Sequence, residues 1–152
     1  MVLDLENFAT QPTQLEVVRA VLDSDRESLA QLMLAAYRGE SDDHSSTLED
    51  AHEEIRKTFA GEYGEFLPQT SVIIERDGEI AATTLITLFE ERPFVCFTMT
   101  APQFKRQGLA LATLLAAIEH LKSAQESELR LLVTSGNSPA ERLYEHLGFV
   151  DI

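Results

Sequence analysis

Between Pro93 and Ile118 the sequence holds no Asp or Glu, although the whole chain carries 26 acidic residues, and Lys105 and Arg106 are the only charges in that span. The span reads as a strand, a loop and a helix. Phe94-Val95-Cys96-Phe97-Thr98-Met99-Thr100 is rich in aromatic and β-branched residues, and Ala101-Pro102 ends the strand because proline offers no N–H to a ladder. A helix is expected from about Gln107 to Ser123, with the small residues Gly108, Ala110 and Ala112 in its first turns. The first four N–H groups of a helix lack internal partners and lie at the positive end of its dipole, so an ordinary helix start favours an acidic first turn. This one omits the acid, as it should where a ligand supplies the negative charge. Lys105-Arg106-Gln107-Gly108-Leu109-Ala110 therefore reads as a cradle for a phosphate or pyrophosphate. A glycine after a basic pair also occurs at plain helix starts, and both readings stand on these residues alone. The stretch is neither a Walker A loop nor a three-glycine dinucleotide fingerprint.

A second patterned segment lies downstream. Leu131-Leu132-Val133-Thr134 reads as a buried strand, Gly136-Asn137 as a turn, and Ser138-Pro139-Ala140-Glu141 as a capping box with proline at the first helical position. The helix runs on through Arg142-Leu143-Tyr144-Glu145-His146-Leu147 and stops at Gly148-Phe149. Taken together, the two segments resemble the GNAT acyltransferase superfamily. The hexapeptide is similar to that family's Q/R-x-x-G-x-G/A signature, with Gly108 and Ala110 at the small positions and Lys105 where Arg or Gln is usual. Lysine there keeps the charge but loses the guanidinium fork. The pattern from Asn137 through Tyr144 to Gly148-Phe149 resembles the segment that supplies an asparagine for the coenzyme and a tyrosine for the reacting sulfur. The resemblance spans residues 15–150, is specific from Phe94 to Phe149, and is architectural before that.

The resemblance implies acetyl-CoA as acyl donor. Its pyrophosphate would lie on the amides of Gln107, Gly108, Leu109 and Ala110 beside Lys105 and Arg106. Its pantetheine arm would pair along Thr98, Met99 and Thr100, with Asn137 as a further contact. Tyr144 would be the acid for the leaving thiolate; its plainer role is a core-edge aromatic. Tyr37, Asp42, Asp43 and Glu90 would border the acceptor. The reaction implied is acetyl transfer to a primary amine by direct attack in a ternary complex, and the alternative is a non-catalytic acyl-CoA-binding sensor or partner subunit. An alkylamine with pKa near ~10.4 is mostly protonated at neutral pH, so its proton must be removed. The strand Val95 to Thr100 carries no carboxylate, and Glu90, Glu91, His44 or a water relay are open choices for the base.

The rest of the chain sets the expected architecture. Residues 1–14 read as an N-terminal arm and 15–152 as one domain. Leu15 to Leu22 reads as a strand; Ser24 and Glu27 form a capping box for a helix that presents Leu29, Leu32, Met33, Ala36 and Tyr37 on one face and ends near Gly39. Glu40 to Glu54 is acidic with no Lys or Arg, which suits either a solvated face or a wall that attracts a cationic amine. Ser46 starts a second helix whose apolar stripe is Leu48, Ala51, Ile55 and Phe59, and Gly61 ends it. Asp77-Gly78 between two β-rich runs predicts a hairpin, and Glu90 to Pro93 predicts the next turn. The expected class is α/β (α+β), with a central mixed, mostly antiparallel sheet flanked by helices in the order β-α-α-β-β-β-α-β-α. No strand is readable after Phe149, so the strand Arg130 to Thr134 is expected to be an open edge. That edge suggests a homodimer or cover by the arm.

Composition excludes several classes. The formal net charge of −14 repels nucleic acid and favours cationic partners. The single cysteine, Cys96, cannot form an internal disulfide and is expected to pack in its strand; the four histidines show no metal-ligand spacing, so no metal is expected. No apolar run approaches the ~20 residues of a membrane helix, and the N-terminus lacks a basic signal-peptide region, so a cytoplasmic protein without membrane partners is expected.

Overall fold

The computed structural model describes residues 1–9, 17–37, 47–133 and 138–152. Its elements are β1 (Val2–Asp4), β2 (Val18–Arg19), α1 (Arg26–Tyr37), α2 (Leu48–Ala60), β3 (Glu65–Phe66), β4 (Val72–Arg76), β5 (Glu79–Phe89), β6 (Arg92–Thr100), α3 (Leu109–Ser123), β7 (Glu128–Leu131) and α4 (Ser138–Leu147). The described strands form one mixed sheet in the order β1-β7-β6-β5-β4-β2, with β3 on β5. Every pairing is antiparallel except β6 with β7.

The sheet has a core on each face. On one, α3 packs Leu114, Ala117, Ile118 and Leu121 against Val72, Ile86, Val95, Leu129 and Leu131. On the other, Leu29, Leu32 and Met33 of α1 and Ala51 and Ile55 of α2 cover Ile73, Leu85 and Met99. The expected helical faces are thus the inward ones, except that Leu48 at the start of α2 is exposed. The two central hairpins turn through positive φ at both turn residues, Asp77-Gly78 (53° and 77°) and Glu90-Glu91 (51° and 65°). That left-handed pair matches the twist of the strands. The second turn is tighter than the sequence suggests, and it brings Arg92 and Pro93 into β6 opposite Phe89 and Leu88.

Several boundaries differ from expectation for identifiable reasons. Asp23–Asp25 forms a 3₁₀ turn ahead of α1, and Asp25, not Ser24, caps it by accepting from the Leu22 amide at 2.7 Å while pairing with Arg19. Thr47, one residue after Ser46, caps α2 by accepting from the Asp50 amide at 3.1 Å. The first strand shrinks to Val18–Arg19, and residues 10–16 lie outside the described set. The last strand ends at Leu131 rather than running to Thr134: Leu129 and Leu131 alternate inward with Glu128 and Arg130, whereas Leu132 is 83% exposed. The ladder follows a two-residue alternation and not the continuous apolar run Leu131-Leu132-Val133.

The largest departure is at the sheet edge. β1 pairs antiparallel with β7, Val2 with Arg130 through Asp4 with Glu128, and Leu131 donates to the Met1 carbonyl at 3.0 Å. On its outer side Val2 exchanges backbone bonds of 2.8 and 3.0 Å with Val150. Leu3 and Leu5 are buried in the α3-side core, so residues 1–9 belong to the domain rather than to a separate arm. The edge expected to invite a second copy is occupied by this chain, which leaves the homodimer without the open strand that suggested it. No helix among the described residues is long and apolar enough to cross a membrane.

Leu5 is 1% exposed, so Leu5→Ala should cost about 2–5 kcal/mol in urea unfolding, the range for a fully buried leucine. A loss below about 0.5 kcal/mol would show that the N-terminal segment does not pack in solution.

Candidate active site

β6 is paired on both sides only in its first half. The parallel ladder with β7 consists of Phe94–Arg130 and Val95–Leu131, and beyond Val95 no described strand faces β6 on that side. At this divergence lies a cleft of about 560 Å³, outside the carboxyl ends of two parallel strands, where open sheets place ligands. Its floor is Thr98, Met99 and Thr100; one wall is Lys105, Arg106, Gly108, Leu109, Ala110 and Leu111; Pro139, Ala140, Leu143 and Tyr144 of α4 form the other, and Ala36 and Tyr37 close the end of α1. Lys105 and Arg106 are the only charged groups among these residues, in a protein of net charge −14.

The loop into α3 shows why that wall is suited to an anion. Pro102–Phe104 makes one 3₁₀ turn, Lys105 is extended, and Arg106 and Gly108 take left-handed φ of 66° and 76°. These two reversals delay the helix to Leu109, two residues later than Gln107. Gly108 then caps α3 without any side-chain bond, and the first turn contains no acid. The amides of that turn are therefore left for a ligand. A Cβ built on Gly108 meets no atom within 4 Å, so glycine serves the φ and keeps the space in front of the amides open.

Tyr144 faces this wall from α4. Gly148, at φ 106°, ends the helix, and the Phe149 ring packs edge-on to Tyr144 at 5.7 Å. Burial raises the pKa of the phenol, and a hydrogen bond with Thr98 partly offsets the rise. The proton therefore stays on Tyr144 at neutral pH. Behind Thr98 the hydroxyls continue inward: Thr98 to Thr84 at 3.3 Å, Thr84 to Thr113 at 2.9 Å, and Thr113 to the Ala110 carbonyl at 3.0 Å. Thr84 and Thr113 were not singled out by the sequence. A signal existed in the polar residues at fully buried positions of β5 and α3, but their adjacency required the fold.

The structure thus gathers Tyr37, Thr98, Met99, Thr100, Lys105, Arg106, Gly108, Leu109, Ala110 and Tyr144 around one cleft. Gln107 is in the loop but does not line it. Glu90 is not brought there: it sits with Glu91 in the hairpin at the start of β6, roughly 25 Å of strand away from Thr98. Asp42, Asp43, His44 and Asn137 lie outside the described residues, as does the side chain of Ser138. Cys96 is the extra residue of a bulge, since Leu85 pairs with Phe97 and Ile86 with Val95. Burial pushes its thiol up to about 12, which makes it inert. The acidic α2 is partly internally paired: Arg56 bonds Glu53 at 2.7 Å and Glu62 at 3.0 Å, and the Tyr63 hydroxyl donates to Glu54 at 2.6 Å.

The chain belongs to the acetyltransferase (GNAT) family, whose pattern it matches over residues 27–149. It is similar in fold to the ribosomal-protein-S18-alanine N-acetyltransferase of Escherichia coli, at 23% identity and a TM-score of 0.71 over 91% of this chain and 79% of that one. The PaiA N-acetyltransferase of Thermoplasma acidophilum, solved with coenzyme A, matches at 17% identity and TM-score 0.67, covering 90% of this chain and 91% of that one. A GNAT acetyltransferase of Brucella melitensis, solved with acetyl-CoA, gives 17% and 0.67 over 89% and 82%. No curated protein matches the chain by sequence.

If the α3 amides hold a phosphate, Gly108→Glu should abolish coenzyme A binding, since its carboxylate enters the open space before them. Lys105→Ala should weaken binding by roughly 1 kcal/mol, in the range of one charge-assisted contact. Calorimetry that finds unchanged affinity in Gly108→Glu would place the ligand elsewhere.

Proposed function

We infer that the protein transfers an acetyl group from acetyl-CoA to a primary amine of a cationic acceptor. The observation that carries this reading is the uncapped, acid-free start of α3 facing the same cleft as a phenol that keeps its proton. The first suits a pyrophosphate and the second suits a leaving thiolate. In this reading Gly108, Leu109 and Ala110 with Lys105 and Arg106 hold the diphosphate. The β6 backbone from Thr98 to Thr100 takes the amide arm, and the thioester lies where β6 and β7 part. The amine attacks the thioester carbon, the C–S bond breaks, and Tyr144 donates its proton to the sulfur. The proton lost by the amine leaves to solvent.

The cationic acceptor is supported by the net charge and by exposed carboxylates on α2 such as Glu49, less strongly than composition suggests because Glu53 and Glu54 have partners within the protein. A second reading, an acyl-CoA-binding module without turnover, is favoured by one feature: the described cleft lining contains no carboxylate or imidazole to serve as base. Thiol release from acetyl-CoA against a panel of amines separates the two, with turnover expected on at least one amine and none under the second reading.

Tyr144→Phe should lower kcat by about 10²-fold with little change in coenzyme affinity or stability. Because its pKa is raised above the ordinary value of about 10, Tyr144 should impose no loss of kcat below about pH 10. A fall near neutrality that vanishes in Tyr144→Phe would contradict this. With the best amine, KM should rise with ionic strength as steering is screened; a KM indifferent to salt, or an anionic best substrate, would refute the cationic acceptor.

A further inference from the structure

The bulge in β6 sets what faces α2. Val95 belongs to the α3-side core and Phe97, two residues on, packs on the core under α1 and α2, although residues two apart in a regular strand share a face. Cys96 is the extra residue that makes the change, and bulges of this kind re-aim a side chain. Phe97 therefore turns to the α2 side just after β6 has parted from β7, and the next residue, Thr98, floors the cleft. There the Tyr63 ring meets Phe97 edge-on at 6.5 Å. Gly61 ends α2 at φ 84°, the chain doubles back, and the Tyr63 hydroxyl donates at 2.6 Å to the Glu54 carboxylate in the middle of that helix. Tyr144 packs on the α3-side core, so Tyr144 and Glu54 stand on opposite faces of the sheet.

The partner of Glu54 is neutral. Glu53 and Glu62 share Arg56 at 2.7 and 3.0 Å and Glu27 meets His52 at 2.7 Å, whereas Glu54 makes no ion pair among the described residues. Burial and then Glu54 itself raise the Tyr63 pKa, so the phenol keeps its proton and adds no charge. A half-buried carboxylate fixed by a phenol beside an aromatic ring suits an ammonium group, which it meets with opposite charge and a charge-assisted hydrogen bond. A nitrogen held there stays protonated, because an adjacent carboxylate favours the charged form. The nitrogen that attacks a thioester must be neutral, so the two cannot be the same atom.

We propose that Glu54, fixed by Tyr63, anchors a second, non-reacting ammonium of the acceptor, and that the acceptor is accordingly a diamine or polyamine whose other nitrogen attacks the thioester. The assignment of the attacking nitrogen rests on the transfer reading above; the ammonium site at Glu54 does not. Glu54 in this arrangement selects and positions the acceptor and takes no proton from it.

The test titrates linear diamines, from diaminopropane to diaminohexane, into the coenzyme A complex by calorimetry, which reads the anchor without turnover. The best of them should bind about tenfold more weakly to Glu54→Gln, the loss of one charge-assisted contact. The glutamine carbonyl still accepts from Tyr63, so the variant should melt as wild type does. Glu53→Gln removes the same charge one residue away, from a carboxylate already paired with Arg56, and should leave diamine affinity unchanged. In turnover with acetyl-CoA, kcat/KM should favour that diamine over the amino alcohol of equal length by about tenfold, and Glu54→Gln should lose the preference. Equal diamine affinity in wild type and Glu54→Gln, an equal loss in Glu53→Gln, or a wild type that binds no diamine overturns the anchor. Turnover that ignores the second charge overturns the assignment of a diamine acceptor. A wild type that turns over no amine overturns the transfer reading, while the calorimetry still decides the anchor.

Discussion

Backbone amides at the first turn of a helix need acceptors, and in α3 the chain provides none from a side chain. Gly108 has no side chain, the first turn has no acid, and the left-handed φ values at Arg106 and Gly108 turn the incoming loop so that the space before the amides stays clear. The other elements at the cleft follow from where that helix start must sit. β6 delivers it through a short 3₁₀ turn, β6 and β7 part after two pairs to make room beside it, and α4 faces it from across the gap. The net charge of −14 sharpens the contrast, since a positive wall in a negative molecule draws anionic groups to that cleft.

Much of this was legible in the sequence because it rests on local chemistry. The acid-free span, the Asp77-Gly78 hairpin, the apolar spacing of α1 and α2 and the stop at Gly148 each express a rule that acts within a few residues. The two helix starts that were misplaced by one or two residues, at Ser24 and Ser46, show the limit of such rules. Several adjacent side chains are competent caps, and Asp25 prevails because Arg19, brought alongside by β2, fixes its carboxylate. Glu90 illustrates a different limit. Sequence proximity to β6 says nothing of which end of the strand a residue occupies, and a nine-residue strand sets its two ends roughly 25 Å apart.

What could not be read is what long-range pairing decides. Leu3 and Leu5 carry no period of their own, and only the vacancy beside β7 gives them a place in the core. The bulge at Cys96 and the meeting of Thr84, Thr98 and Thr113 likewise depend on the register of separate strands and a helix. Side chains that seem incidental along the chain become one polar seam through an apolar interior.

The seating of β1 also bears on how the protein comes into being. Val2 and Leu3 are made well before their partners Leu129, Arg130 and Val150, which follow more than 120 residues later. During synthesis β1 lacks its partner until β7 has emerged, so the two must join late and across a loop of more than 120 residues. A nascent chain in that interval exposes Leu3, Leu5 and the bare flank of β7 together. That interval, rather than the finished protein, is when unwanted strand pairing between chains is most favoured.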